Sequence, residues 1–126
     1  MIFQSRVYGV AYELADDESS VPIKNRLDER EKRYEKTADV PFYAAVDDSS
    51  VSLTCSVYIG PLNGPLYLGP APAELMARQI VESAGPSGTN LDYFTRLSDF
   101  MKNEIGSVDS HLVELEAAVQ SVIDNQ

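Results

Sequence analysis

The amino-acid sequence predicts an α+β fold, with strands in its first half and helices in its second half. One observation is a clean alternation of apolar and polar side chains between positions 51 and 59, which is typical of a strand with one buried face. The other is the recurrence of apolar residues at spacings of three or four after position 72, as in amphipathic helices. Between the two halves, residues 60–72 are rich in Gly and Pro, which predicts a loop.

Three segments of the first half are predicted to be strands, at 7–14, 40–46 and 51–59. Each is rich in β-branched or aromatic residues. The polar run at 47–50 is predicted to be a hairpin turn between the second and third strands. A short helix is expected between the first two strands, from Ser20 to about Arg30, because Ser20 is a good cap and Pro22 is tolerated in a first helical turn.

Three helices are predicted in the second half. The first covers about 72–84 and is stopped by Gly85-Pro86, the second starts at Thr89 or Asn90, and the third starts near 109–110. No repeat, low-complexity tract or composition change marks a boundary, so a single domain over 1–126 is expected.

Composition limits the classes of partner. The formal net charge is −10, and the densest basic stretch, at 30–36, is interleaved with glutamates. Nucleic acids and anionic membranes attract clusters of Lys and Arg, so neither is an expected partner. No apolar run approaches the ~20 residues that span a bilayer, and the first residues lack the features of a signal peptide. We therefore expect a soluble, cytoplasmic protein.

The sequence contains one cysteine, Cys55, and one histidine, His111. A single cysteine excludes an internal disulfide, in keeping with a reducing compartment. The two residues are far apart in the sequence and do not form a usual structural zinc site, so no metal is expected. Cys55 is interpreted as a small buried hydrophobe and His111 as an exposed residue at the start of the last helix.

Four segments resemble motifs of the ChaC-type, glutathione-specific γ-glutamylcyclotransferases. They are YLGPAP at 67–72, GPSGTNLDYF at 85–94, VYGVAY at 7–12 and LDERE at 27–31. The residues after the last motif, KRYE at 32–35 and VPFY at 40–43, are closer to the plant-type spacing of that family. The resemblance runs from Val7 to about Val122.

The resemblance implies a mixed β-sheet or barrel with C-terminal helices. It also implies a first strand that ends in a G-Y-G-S-L loop, which binds the γ-glutamyl group through backbone amides. That loop does not occur in the sequence. The chain is therefore expected to be an N-terminally truncated, partial γ-glutamylcyclotransferase-like domain.

The implied activity is a lyase reaction that splits glutathione into 5-oxoproline and cysteinylglycine. Glu31 matches the Glu of the family motif and is the expected general base and acid. The substrate supplies its own amine as nucleophile, so no cofactor is expected. Glutathione is the expected partner, and the sequence does not determine the oligomeric state.

Four further residues are candidates for substrate binding. Tyr67 and Tyr93 match motif positions and carry hydroxyls, whereas Gly60 and Asn63 lie in a loop whose amides can approach a ligand. Plainer interpretations stay open: Glu31 as one solvated carboxylate among 20 acidic residues, and Tyr93 as a core residue. The competing function is a catalytically inactive homologue that acts as a binding module, or an incomplete fragment.

Overall fold

The structure is a computed structural model that describes residues 7–32, 34–44, 53–106 and 109–125 of the 126-residue chain. The described residues form two compact units. One is Val10–Gly69, and the other combines 7–9 with the residues that follow Gly69. The α+β class predicted from the sequence is confirmed. The prediction of one domain over 1–126 stays a prediction.

In the unit Val10–Gly69, helix α1 covers Val21–Arg30, which confirms the predicted short helix. A 3-10 turn, Glu18–Ser20, leads into it, and the Asp17 carboxylate caps that turn by accepting from the Ser19 amide at 2.8 Å. Ser20 is the residue before the helix, as expected, but its hydroxyl donates back to the Asp17 carbonyl instead of capping α1. Pro22 lies in the first turn of the helix.

Strands β1 (Glu35–Phe42) and β2 (Leu53–Ile59) pair antiparallel into a two-stranded sheet. The register shifts between Thr37 and Val40, where β1 carries one more residue than β2. Asp39, inside this bulge, has a φ of 58°, a left-handed conformation that Asp tolerates better than most residues. The second strand was therefore predicted too late: it begins at Glu35, not at 40. The predicted turn at 47–50 lies outside the described residues.

The predicted strand at 7–14 is wrong. These residues form no regular element, and the Tyr12 side chain is 84% exposed. Their composition favours a strand, but a strand exists only where a neighbouring strand accepts and donates its backbone hydrogen bonds. No described strand pairs with this segment.

The second unit contains three helices, α2 (Ala73–Glu82), α3 (Asn90–Phe100) and α4 (Ser110–Asp124). This confirms the predicted helical half. Thr89 caps α3 by accepting from the Asp92 amide at 3.0 Å, and Asp109 caps α4 in the same way with the Leu112 amide. A π-helical turn, Met101–Ile105, ends α3, and Gly106 follows in the left-handed conformation.

The buried core of this unit consists of Ala77, Phe94 and Val119, one residue from each helix. Half-buried apolar residues from the same helices surround it: Ile80, Val81, Leu91, Leu112, Leu115, Ala118 and Val122. Ala77 is completely buried, so α2 can approach its neighbours closely at that point.

A tight turn connects α2 and α3. Strands β3 (Ala84–Gly85) and β4 (Gly88–Thr89) pair antiparallel, with Gly85 opposite Gly88. Gly88 has a φ of 125°, which favours glycine strongly. The amide of Asn90 donates to the Ser83 carbonyl at 2.9 Å and closes the corner.

Candidate active site

Glu31 lies where α1 ends. It is the C-cap residue, and its amide donates to the Leu27 carbonyl at 2.9 Å, the last hydrogen bond of the helix. The Glu31 carbonyl accepts from the Tyr34 amide at 2.8 Å, which starts the turn into β1. Both backbone polar groups of Glu31 are therefore paired, and the direction of its side chain is set by a defined turn.

The Glu31 side chain is 22% exposed, so it is neither in the core nor free on the surface. One carboxylate oxygen accepts from Nε of Arg30 at 2.7 Å. The Arg30 side chain is largely exposed, so solvent screens this ion pair and a competing cation can displace it.

The Tyr34 ring connects the Glu31 turn to Gly60. A Cβ atom placed on Gly60 would lie 3.1 Å from Cε1 of Tyr34, so the ring packs directly against the glycine backbone. Since the Tyr34 amide is bonded to Glu31, the backbone of Gly60 is held beside the same turn. Glu31 and Gly60, both predicted site residues, therefore lie beside the same turn.

A second set of side chains fixes α1 to the sheet. Asp28, three residues before Glu31, accepts with a single carboxylate oxygen from the Tyr58 hydroxyl and from Nζ of Lys36, the latter at 3.0 Å. Lys36 and Tyr58 are partners in the β1–β2 register, and Lys36 Nζ lies 5.5 Å from the centre of the Tyr58 ring. We call these three residues the Asp28 clamp.

The hydrogen bonds of the clamp favour the charged forms of Asp28 and Lys36 and the neutral form of Tyr58. The hydrogen bonds from Tyr58 and then Lys36 hold the pKa of Asp28 below its usual range. The bond to Asp28 raises the pKa of the Lys36 ammonium and, for the same reason, the pKa of the Tyr58 phenol. At neutral pH the clamp therefore has an ionised carboxylate, an ammonium and a neutral phenol.

The other two predicted site residues of this unit lie on the loop after β2. Asn63 is exposed within a turn in which the Gly64 amide donates to the Pro61 carbonyl at 2.9 Å. The Tyr67 amide donates in turn to the Gly64 carbonyl at 3.1 Å. Tyr67 itself is half exposed, so its hydroxyl is accessible to a ligand.

Tyr93 belongs to the helical unit. Its side chain is 67% exposed, whereas that of the next residue, Phe94, is 7% exposed and part of the core. The interpretation of Tyr93 as a core residue is therefore wrong. Tyr93 lines an open groove of about 550 Å³ between the β3–β4 turn and the first turns of α3, together with Arg96.

The Asp28 clamp was not found by the sequence analysis. Asp28 entered there only as part of the motif at 27–31, and Lys36 and Tyr58 were not considered as a pair. Two features of the sequence agree with this contact but do not predict it: Tyr58 is on the polar face of the alternating strand, and Asp28 is inside the LDERE motif.

Cys55 is half-buried and His111 exposed. Among the described residues, no group of three or more acidic, His or Cys side chains is placed to hold a metal, and none of the described helices is long and apolar enough to cross a membrane.

Comparison of the sequence with known proteins identifies its family. A family profile described as "ChaC-like protein" matches residues 2–122, nearly the whole chain. The chain belongs to the ChaC-like family. The match includes all four motifs on which the resemblance depends, with Glu31 at the end of α1 and Gly60 beside its turn.

Curated relatives carry related names. The ChaC-like chain is 33% identical over 119 residues to "Gamma-glutamylcyclotransferase 2-3" of Arabidopsis thaliana, covering 91% of the chain and 59% of that relative. It is 38% identical over 120 residues to "Glutathione-specific gamma-glutamylcyclotransferase 1" of Rattus norvegicus, covering 92% of the chain and 53% of the relative. The Homo sapiens protein of the same name is 37% identical. The chain thus spans between half and three-fifths of the length of these relatives.

Proposed function

We propose that this ChaC-like chain is a γ-glutamylcyclotransferase that cleaves glutathione, or another γ-glutamyl peptide, into 5-oxoproline and cysteinylglycine. The placement of Glu31 carries the proposal: a partly exposed carboxylate on a backbone turn whose polar groups are paired, close to Gly60, against which the Tyr34 ring packs. The names of the relatives support the same reaction class.

The reaction needs one group that first takes and then returns a proton. Glu31 accepts a proton from the α-ammonium of the γ-glutamyl group, and the freed amine attacks the γ-carbonyl carbon of the same group. A five-membered lactam forms, and the bond to the cysteine nitrogen breaks. Protonated Glu31 donates its proton to that leaving nitrogen, and the attacking nitrogen gives up a second proton by the same route. The cysteine nitrogen therefore leaves as an ammonium, and the Glu31 carboxylate is restored.

Orientation supplies much of the acceleration. The attack is intramolecular, and correct alignment of the two reacting groups is worth up to ~7–11 kcal/mol. The Arg30 guanidinium occupies the Glu31 carboxylate in the free chain, and the substrate ammonium displaces it. An exposed pair of this kind is weak enough for that exchange.

In the unit that holds Glu31, substrate binding is assigned to Gly60, Asn63 and Tyr67. Tyr93, of the helical unit, is a separate candidate that rests on its motif position. The backbone of Gly60, beside the turn of Glu31, and the exposed turn around Asn63 are proposed to offer amides to a carbonyl or a developing oxyanion. The side chains of Tyr67 and, in the other unit, Tyr93 are each at least half exposed, and each carries a hydroxyl that can donate to a carboxylate. No cofactor is assigned, because the substrate amine is the nucleophile.

The test is release of 5-oxoproline from glutathione by the purified chain, compared with Glu31→Gln. The amide keeps the size of the side chain but does not accept a proton, so turnover should disappear. Glu29→Gln is the matched control, because it removes an exposed carboxylate two residues earlier in the chain. That variant should retain the wild-type rate.

Two results would contradict the proposal. Turnover that persists in Glu31→Gln removes Glu31 from the chemistry. The second result is a wild-type chain that is folded, as judged by circular dichroism and by well-dispersed amide resonances, but releases no 5-oxoproline from any γ-glutamyl peptide. That result would support the competing function of a binding module. Titration of glutathione into that chain, followed at the Gly60 and Tyr93 amides, would then test binding by itself.

A further inference from the structure

The Asp28 clamp joins three elements through one oxygen atom. Asp28 comes from the last turn of α1, Lys36 from β1 and Tyr58 from β2. Both donors reach the same oxygen, Oδ1, although they are eight and thirty residues away in the sequence. Because Lys36 and Tyr58 are opposite each other in the register, their side chains leave the same face of the sheet.

The clamp closes a short segment that contains Glu31. The chain leaves α1 at Arg30, turns at Glu31 and enters β1 at Glu35, so Asp28 and Lys36 lie on either side of the turn. Their ion pair fixes the two ends of the segment relative to each other. The Tyr34 ring on Gly60 fixes its middle against the end of β2.

Neither hydrogen bond has an evident role in building a core. The Asp28 and Lys36 side chains are about half exposed, and a solvent-exposed ion pair contributes little to stability. A carboxylate that accepts a lysine and a tyrosine through one atom is, however, a defined geometric constraint, because both donors lose their freedom to rotate away.

We propose that Asp28, through Tyr58 and Lys36, is a positioning residue that holds the turn of Glu31 in place relative to the sheet. The consequence for catalysis rests on the proposed function of Glu31, but the effect on the turn does not. In this proposal Asp28 acts through the turn and not on the reacting atoms. Its loss should change how well the Glu31 carboxylate is aligned and leave substrate affinity nearly unchanged.

The first measurement is amide hydrogen exchange of the full chain by NMR. The Tyr34 amide, bonded to the Glu31 carbonyl, reports opening of the turn. In Tyr58→Phe, which removes one hydrogen bond, its exchange should accelerate by about fivefold, and in Asp28→Ala, which removes two, by at least as much. The control is Glu116→Ala, which removes the comparable Lys102–Glu116 ion pair of the helical unit and should leave the Tyr34 amide unchanged.

The second measurement is the kinetics of 5-oxoproline release. We expect kcat to fall about tenfold in Asp28→Ala and Tyr58→Phe, with KM changed less than about twofold, since alignment rather than binding is lost. Lys36→Met should lower kcat as well, whereas Lys36→Arg keeps a cationic donor to Asp28 and should restore most of it.

The outcomes separate this proposal from the proposed function. Faster Tyr34 exchange in both variants, in a chain without turnover, upholds the role of Asp28 at the turn and rejects the enzyme. Suppose that the wild type is active and that Glu31→Gln abolishes turnover. If Asp28→Ala and Tyr58→Phe then match the wild type in kcat and in Tyr34 amide exchange, the positioning role alone is overturned. A fall in kcat with unchanged Tyr34 exchange overturns it too, because the effect would not pass through the turn.

Discussion

The Tyr58 hydroxyl donates to the Asp28 carboxylate across thirty residues of sequence, and this bond connects the end of helix α1 to strand β2. Glu31 follows Asp28 by three residues, so the proposed catalytic carboxylate is adjacent to a constraint that comes from a distant part of the chain. Four expected outcomes test the geometry on which these assignments depend.

The Asp28 clamp should be lost in acid. The pKa of Asp28 is lower in the folded chain than in the unfolded one, so its contribution to stability is complete above the unfolded value of about 3.9 and disappears as the pH falls through the folded value. Wild type should therefore be slightly more stable than Asp28→Asn at pH 7, because solvent screens this half-exposed ion pair, and the difference should shrink as the pH falls below the usual range of an aspartate. Urea unfolding, followed at amide resonances of β1 and β2, measures this. A stability difference that does not shrink in acid would exclude a charge effect.

Phe94→Ala should destabilise the helical unit by about 3 kcal/mol, because the ring is buried among all three helices and its removal leaves a cavity. The adjacent residue provides the control. Tyr93→Ala removes an exposed ring and should change the free energy of unfolding by no more than about 0.5 kcal/mol. Chemical denaturation of the two variants measures both values, and equal losses would contradict the helix orientation described above.

Ser98→Ala should stabilise the helical unit. The Ser98 hydroxyl is buried and has no hydrogen-bond partner among the described residues, so its desolvation is not compensated. Alanine removes the hydroxyl and favours the helix, and we expect a gain of about 1 kcal/mol. The exposed Ser121→Ala gains the same helix propensity, about 0.5 kcal/mol, and loses a weak contact in which the Ser121 hydroxyl accepts from the Asn125 side chain at 3.5 Å. A loss of thermal stability in Ser98→Ala would indicate that the hydroxyl has a partner in solution.

Gly60→Ala should disturb Glu31 through Tyr34. The added methyl group would lie 3.1 Å from the Tyr34 ring, closer than ordinary contact, so the ring has to move. We expect kcat for 5-oxoproline release to fall roughly fivefold through misalignment. Gly9→Ala places its methyl group in open space and serves as the control.

A double variant separates this effect from a direct one. If the ring contact is responsible, Gly60→Ala combined with Tyr34→Ala should be no slower than Tyr34→Ala alone. Additive losses would instead indicate that the methyl group of Gly60→Ala blocks the substrate itself.

The helical half could be predicted closely because its signals are local. Thr89 and Asp109 each cap a helix with a hydrogen bond that spans three residues, and both helix starts were found within one position. The strand predicted at 7–14 failed for the opposite reason, because pairing depends on a partner that the segment itself does not specify. Composition alone does not report whether that partner exists.

In the candidate site, too, local features could be predicted from the sequence and long-range contacts could not. Glu31 was found through its motif, and its position after a short helix and before a strand agrees with the structure. The contact between Asp28 and Tyr58 was not predictable, because thirty residues and a bulge at Asp39 separate the two and set the register of Lys36 opposite Tyr58. The choice between Tyr93 and Phe94 as the buried ring required the phase of α3, which adjacent aromatics leave ambiguous.

The corner between α2 and α3 has a consequence for the order of folding. Its closing hydrogen bond, from Asn90 to Ser83, spans seven residues. Gly88, with its positive φ, and Thr89, the cap residue of α3, both lie inside that span. Closing so short a loop costs little chain entropy, whereas bringing Tyr58 to Asp28 requires ordering a segment more than four times as long. The helical corner should therefore form early, and the bond from Tyr58 to Asp28 should form among the later steps of folding.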